Sequence, residues 1–254
     1  MKRLVLMAIL LLTGLYFANA QALYKMYEKQ EAKDATYTKK EKKKNLKEYS
    51  KLIYEDAKEV FKERKDWMKS SEKKKTKKKK DIFAIRMLSY RQDRWKVLEG
   101  KPSLEEQCMK EIDMALNYDD SLFPIDIEGQ AKSIAKTYEV ALEKALFLAR
   151  ENLVSTIQHE AFMQLAKADF VKSFGVEKAQ IIVEAVHDAY DYMLENLGES
   201  ETVMEFYNSS NHNSSEVMVR VFYPGAKAKG DFKEAIQKTL AGNDNLLKWI
   251  LTLL

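Results

Sequence analysis

The sequence predicts a helix-rich α+β protein, and three observations carry that prediction. Only three prolines and eight glycines occur in 254 residues, so turn chemistry is sparse and helix is the expected majority. Apolar residues recur at intervals of three and four along several long segments, the period of one helical face. Towards the carboxyl end the pattern changes to two Val-, Phe- and Tyr-rich runs, "ETVMEFYN" and "EVMVRVFYP", parted by the polar "SSNHNSS". That combination is a β-hairpin signature with a long loop.

The chain opens with Lys2 and Arg3, runs through the apolar "LVLMAILLLTGLYF", and reaches Ala18-Asn19-Ala20, the small-x-small form a signal peptidase requires. Residues 1–20 are therefore expected to be a secretory signal peptide rather than the alternative, an uncleaved anchor, since the apolar run falls short of the roughly 20 residues of a bilayer crossing. No later stretch is long and apolar enough to span a membrane. The expected location is exported: periplasm, the periphery of the outer membrane, or outside the cell. The single cysteine, Cys108, allows no internal disulfide and is not a lipidation cysteine next to the cleavage site, so packing must stabilise the fold.

Residues 21–40 are weakly patterned. Over residues 41–68, Leu46, Tyr49, Ile53, Ala57, Val60, Phe61 and Trp67 form one apolar stripe of an amphipathic helix. Glu48 with Lys51 and Glu59 with Lys62 add i,i+3 pairs worth a few tenths of a kcal/mol each. Then "SSEKKKTKKKKD", residues 70–81, holds seven lysines in twelve positions. Like charges so close repel, which predicts an extended, solvated linker. Residues 21–80 contain 22 Lys and Arg against 11 Asp and Glu, a net of +11. Together with +2 from the first twenty residues, this leaves −9 for residues 81–254 out of the chain's +4. The expected organisation is a basic helical arm with its linker (21–80) attached to an acidic α+β body (81–254).

The body begins with a short helix through "IFAIRMLSY". Gly100 and Pro102 mark a turn, and Ser103 is placed to cap a helix, with Gln107 just beyond the first turn. "NYDDSLFP" is a loop. In the long segment that follows, Tyr138, Ala141, Leu142, Ala145, Leu148, Ala149, Leu153 and Ile157 form one stripe whose alanines allow close backbone approach. The periodicity permits this helix to begin near Gly129; a strand over about residues 125–134, capped into the helix at Thr137, satisfies the pattern equally. A second helix over residues 176–197 turns Ile181, Ile182, Ala185, Ala189, Tyr190 and Met193 inward. After the hairpin, Pro224 ends the second strand because it lacks a ladder donor. "DFKEAIQKTL" is a short helix and "DNLLKWILTLL" closes the chain.

Candidate chemistry is thin. His159-Glu160 begins like a zinc-protease HExxH helix, but Met163 stands where the second histidine belongs. His187-Asp188 has no partner histidine or cysteine nearby, and His212 lies in the Asn/Ser loop. Cys108 lacks a nucleophile signature and fits the role of a small apolar residue. No G-x-S-x-G elbow or glycine-rich phosphate loop occurs. Asp119-Asp120 and Asp126 with Glu128 could meet a cation, yet they lack EF-hand spacing and fit a solvated acidic loop better. Asn208 and Asn213 each open an N-x-S sequon, which matters only for a eukaryotic secreted chain. The sequence thus assigns no catalytic residue, cofactor or metal. It offers Lys73, Lys74, Lys75, Lys77, Lys78, Lys79 and Lys80 as contacts for an anionic surface. Without interleaved aromatics, and in an exported chain, this run argues against nucleic acid and fits anionic lipid or acidic polysaccharide, at about 1 kcal/mol per lysine. Of the two readings, a plain solvated spacer fits the run better than a binding device.

Trp95-Lys96, then Pro102, Leu104, Glu105 and Gln107, then Ala141, Ala145, Leu146, Ala149, Arg150, Leu153 and Ile157, and Val219-Arg220-Val221, give residues 90–235 a family likeness. This part of the chain resembles uncharacterised exported proteins of Bacteroides-type bacteria. Its alanine-rich helix is similar to that of the Helicobacter-type twenty-kilodalton surface lipoproteins. The resemblance implies a strand before the long helix, hence a β-α-α-β-β-α body with helices on one face of a small antiparallel sheet, and an envelope location. Asp93-Arg94 departs from the glutamate-glycine usual before the tryptophan, and the lipoprotein cysteine is missing, so lipid anchoring does not carry over. The expectation is a non-enzymatic envelope protein that contacts other envelope proteins or anionic components through its basic arm, with a homo-oligomer left open. The alternative is a small periplasmic hydrolase or ligand-binding protein whose site is assembled from distant residues.

Overall fold

The computed structural model describes residues 39–210 and 214–253. The expected signal peptide, His212, Asn213 and the side chains of Leu46, Tyr49 and Ile53 lie outside the described residues. Among those described, seven helices and one three-stranded antiparallel sheet make a helix-rich α+β fold. In chain order they are α1 (Lys39–Met68), α2 (Glu72–Gln92), α3 (Leu104–Ala115), β1 (Asp126–Ala135), α4 (Tyr138–Ala166), α5 (Phe170–Asn196), β2 (Glu201–Ser210), β3 (Ser214–Pro224), α6 (Gly225–Thr239) and α7 (Asp244–Leu253). The β1-α4-α5-β2-β3-α6 succession is the expected one, and of the two readings left open for residues 125–134 the strand is realised. Thr137 receives the Val140 N–H on its hydroxyl (3.4 Å) as α4 begins.

The chain divides into two compact units. The sheet unit comprises Arg64–Val154 and Leu197–Ala228. Its strand order is β1-β3-β2, every pair antiparallel. The central strand β3 is buried continuously from Val217 to Tyr223, which is why "VMVRVFY" shows no alternation. One face packs on α4: a Cβ at Gly129 would lie 2.2 Å from the Ala149 carbonyl oxygen, so only glycine permits this approach. Ala141, Ala145 and Ala149 are fully buried there, while Leu148 is 40% exposed, against its expected place in the inward stripe. A second layer covers the opposite face, which was not foreseen. Tyr90 of α2 meets Phe206 edge-on at 5.2 Å, and Gln107 of α3 accepts the Glu205 N–H (2.8 Å).

That second layer exists because the lysine-rich stretch is helical, a correction to the expected extended linker. Helix α2 begins at Glu72 and continues through "IFAIRMLSY" without a break, so the short helix expected from residue 81 is its second half. The chain turns instead at Lys69 to Ser71, where the Ser70 hydroxyl donates to the Asp66 carbonyl (2.8 Å). Lysine is a good helix former, and repulsion between exposed charges in water is only about 1 kcal/mol per close pair before salt screening. Against it stand the burial of Ile82, Met87 and Tyr90, each side chain worth about 1.5–3 kcal/mol, and the pairs described below. Ser103 caps α3 as expected, in a reciprocal box with Glu106.

Among the described residues, the helical unit comprises 39–63, Ser155–Asn196 and 229–253. Ala57 and Phe61 of α1 are buried, as are Ile182, Ala185, Ala189 and Met193 of α5, while Ile181 and Tyr190 are half-buried. Phe162 tilts against Phe170 at 5.7 Å, and Phe174 meets Trp249 of α7 edge-on at 4.6 Å. Helix α5 starts at Phe170, six residues before the expected 176, and is interrupted at Gly175, whose φ of 78° favours glycine.

Candidate functional site

Two charged constellations stand out, one exposed and one buried, and both belong to the sheet unit. The exposed one is the first half of α2. At 100° per residue, Lys73, Lys77 and Lys80 fall on one stripe with Lys74 beside it, a span of about 10 Å along the axis. All four are exposed, and their side chains make no hydrogen bond, ion pair or ring contact among the described residues. The other three lysines of the run are engaged within the protein. Lys75 pairs with Glu72 (3.1 Å), Lys79 with Asp113 of α3 (2.7 Å), and the Lys78 ammonium lies 5.2 Å from the centre of the Trp67 ring. The seven predicted contact residues thus separate into an outward quartet and an engaged trio, of which Lys78 is itself exposed. The stripe continues through Ala84 to Leu88, which is 60% exposed.

The buried constellation lies between the sheet and its α2–α3 layer. Arg220 of β3 sits among Val219, Val221 and Phe222 and donates through Nη1 to Glu128 of β1 (2.5 Å) and to Glu111 of α3 (3.0 Å). Arg86 of α2 pairs with the second oxygen of Glu111. Two guanidiniums and two carboxylates therefore balance, and Glu111 is fully buried. Burial holds the Arg86 guanidinium below its usual range, with Arg220 adding to the effect. Burial also works against charge on Arg220, but Glu128 and the Tyr90 hydroxyl outweigh it and leave its pKa raised. Cys108, one turn before Glu111 and fully buried, has its thiol pushed up by burial. The Arg220 Nε, Tyr90 hydroxyl and Trp95 Nε1 are buried without a hydrogen-bond partner among the described residues. Every carboxylate in the cluster is occupied by a guanidinium, so its chemistry is cohesive.

The remaining predicted residues are placed apart. Asp119 organises its own loop, accepting the Ser121 and Phe123 N–H groups (2.8 and 3.0 Å), and Asp126 is pushed up by burial, with Glu201 reinforcing the shift. His159 is half-buried and electrostatically coupled to Asp56 within the helical unit. His187 lies 3.7 Å from Asp188 in the same unit. Asn208 donates to the Asp93 carbonyl (2.7 Å). Among the described residues, no group of three His, Cys, Asp or Glu gathers as a metal site, and no helix is long and apolar enough to cross a membrane.

Sequence reasoning brings together neither constellation in its final form. Arg86 and Glu111 carry no local signal, but an arginine inside "VMVRVFY" is one: a charge in a fully apolar strand needs a buried acid. No protein family, curated protein or solved structure compared with this chain matches it.

Proposed function

We propose that the protein is an exported, envelope-associated interaction protein that contacts a polyanionic surface through Lys73, Lys74, Lys77 and Lys80. The observation that carries this reading is the outward quartet: four ammonium groups on one side of a helix, while their three neighbours are engaged within the protein. A helix is a better device for this than a floppy tether, because its backbone is already ordered and holds the four lysines on one side. At about 1 kcal/mol per lysine near an anionic surface, four contribute about 4 kcal/mol, enough for reversible, salt-sensitive attachment. The exposed Leu88 at the end of the stripe fits a face that lies along an interface. The signal-like residues 1–20 and the family resemblance support the envelope location.

The test is fractionation of the native host, with membranes washed in high salt. Replacing Lys73, Lys74, Lys77 and Lys80 with Ser is expected to move the protein from the salt-releasable membrane fraction to the soluble one. Replacing Lys75, Lys78 and Lys79 is expected to change attachment far less. Equal, soluble distribution of wild type and both variants would overturn the reading.

A further inference from the structure

The two edges of the sheet differ. In an antiparallel ladder alternate residues direct both peptide groups to one neighbour, so one bond fixes the parity of a whole strand. The Gly225 N–H donates to the Ile125 carbonyl (2.6 Å), immediately beyond the Asp126–Pro224 pair. The odd-numbered residues of β1 therefore face β3, and Asp126, Glu128, Gln130, Lys132 and Ile134 direct their peptide groups away from the sheet. The same reasoning on β2 turns Glu205 and Tyr207 outward, and there the edge is closed. Tyr207 exchanges both backbone bonds with Lys96 (2.9 Å each), and the Glu205 N–H reaches Gln107 (2.8 Å).

Among the described residues, the β1 edge is open. Of its outward peptide groups, only the Gln130 carbonyl has a partner among the described residues, the Asn152 side-chain amide at 2.7 Å. A carbonyl has two lone pairs, so this bond leaves room for another. The usual protection of an exposed edge, a lysine standing off it, is weakened here: the Lys132 ammonium is drawn back over the Trp95 ring, 4.9 Å from its centre. Ile134, next on the same face, is 61% exposed.

We propose that β1 pairs with β1 of a second copy, antiparallel and symmetric about Gln130, to make one continuous sheet through two chains. Charge complementarity favours a second copy as the occupant and, among registers centred on an outward-facing residue, this one. Centred on Gln130, the pairing sets Glu128 opposite the partner's Lys132, and Lys132 opposite the partner's Glu128. Centred on Lys132 or on Glu128, it would set like charges face to face. A two-fold contact in which one strand meets its own copy is self-complementary and closes at two chains.

The experiment is sedimentation of the purified protein over a wide concentration range, with amide exchange on the same samples. The wild type is expected at twice the chain mass, with the Glu128, Lys132 and Ile134 amides protected and losing protection on dilution. Lys132→Pro removes an outward N–H and leaves the β3 ladder whole, so it should give a folded single chain. Ser133→Pro removes an inward N–H and should lower the melting temperature. Lys132→Glu sets carboxylate against carboxylate twice and should weaken association about tenfold or more. If Lys132→Pro fails to fold, Lys132→Glu decides. A wild type that stays a single chain with exposed β1 amides would overturn the proposal, as would a dimer unaffected by Lys132→Glu.

Discussion

Glu111→Gln is the sharpest probe of how the sheet unit is held together. Glu111 is fully buried and bridges Arg86 and Arg220, so the substitution keeps volume and removes the one charge two guanidiniums share. Arg220 retains Glu128 at 2.5 Å; Arg86, with 11% of its side chain exposed, loses its only carboxylate among the described residues. Breaking a buried pair by removing one partner costs about 3–5 kcal/mol, because the other charge is left uncompensated. With a urea slope of about 2–3 kcal/mol/M, the unfolding midpoint should fall by about 1–2.5 M. Trp67 and Trp95 report on this unit and Trp249 on the other, so fluorescence in a Trp249→Phe background isolates the transition. Replacing Arg86 and Glu111 together by Met leaves the Arg220–Glu128 pair intact and should cost far less than the single change. A single-substitution loss below about 1 kcal/mol, or a double variant as unstable as the single, would refute the cohesive role.

Four further outcomes are expected. Gly129→Ala drives a Cβ to within 2.2 Å of the Ala149 carbonyl oxygen and should lower stability by about 3 kcal/mol, or the melting temperature by about 6–12 °C. Gly230→Ala, inside α6 with nothing within 4 Å, should raise stability by about 0.5–1 kcal/mol in the same assay. Cys108, fully buried with its thiol pushed up, should resist alkylation in the native state and react once denaturant is added. The exposed Glu106 carboxyl is held below its ordinary value of 4.5 by the Ser103 N–H and hydroxyl. A depressed carboxyl contributes stability that is complete above its unfolded value and fades as pH falls through its folded one. Glu106→Gln, which still accepts the Ser103 N–H, should therefore flatten that part of the acid limb in a urea-midpoint series against pH.

The fold was legible where local patterns and packing agree. The hairpin, the Ser103 cap and the alanine face of α4 each follow from residues close in sequence. The lysine run was not legible, because what makes it helical lies elsewhere: Ile82, Met87 and Tyr90 downstream on the same helix, Asp113 on α3 and the Trp67 ring on α1. The open β1 edge follows from strand parity, which becomes visible only once the partner strand is known. Similarly, Arg220 announces a buried acid, but its carboxylates stand 92 and 109 residues away and no spacing rule connects them.

The surface-contact claim is tested most directly by co-sedimentation with anionic and with neutral lipid vesicles across a salt series. The account predicts binding to anionic vesicles only, declining with salt. Substituting Lys73, Lys74, Lys77 and Lys80 by Gln should weaken it by up to about a thousandfold, the equivalent of about 4 kcal/mol. Substituting Lys75, Lys78 and Lys79 should have a much smaller effect. Binding that ignores salt, or that the outward quartet and the engaged trio affect equally, would contradict it.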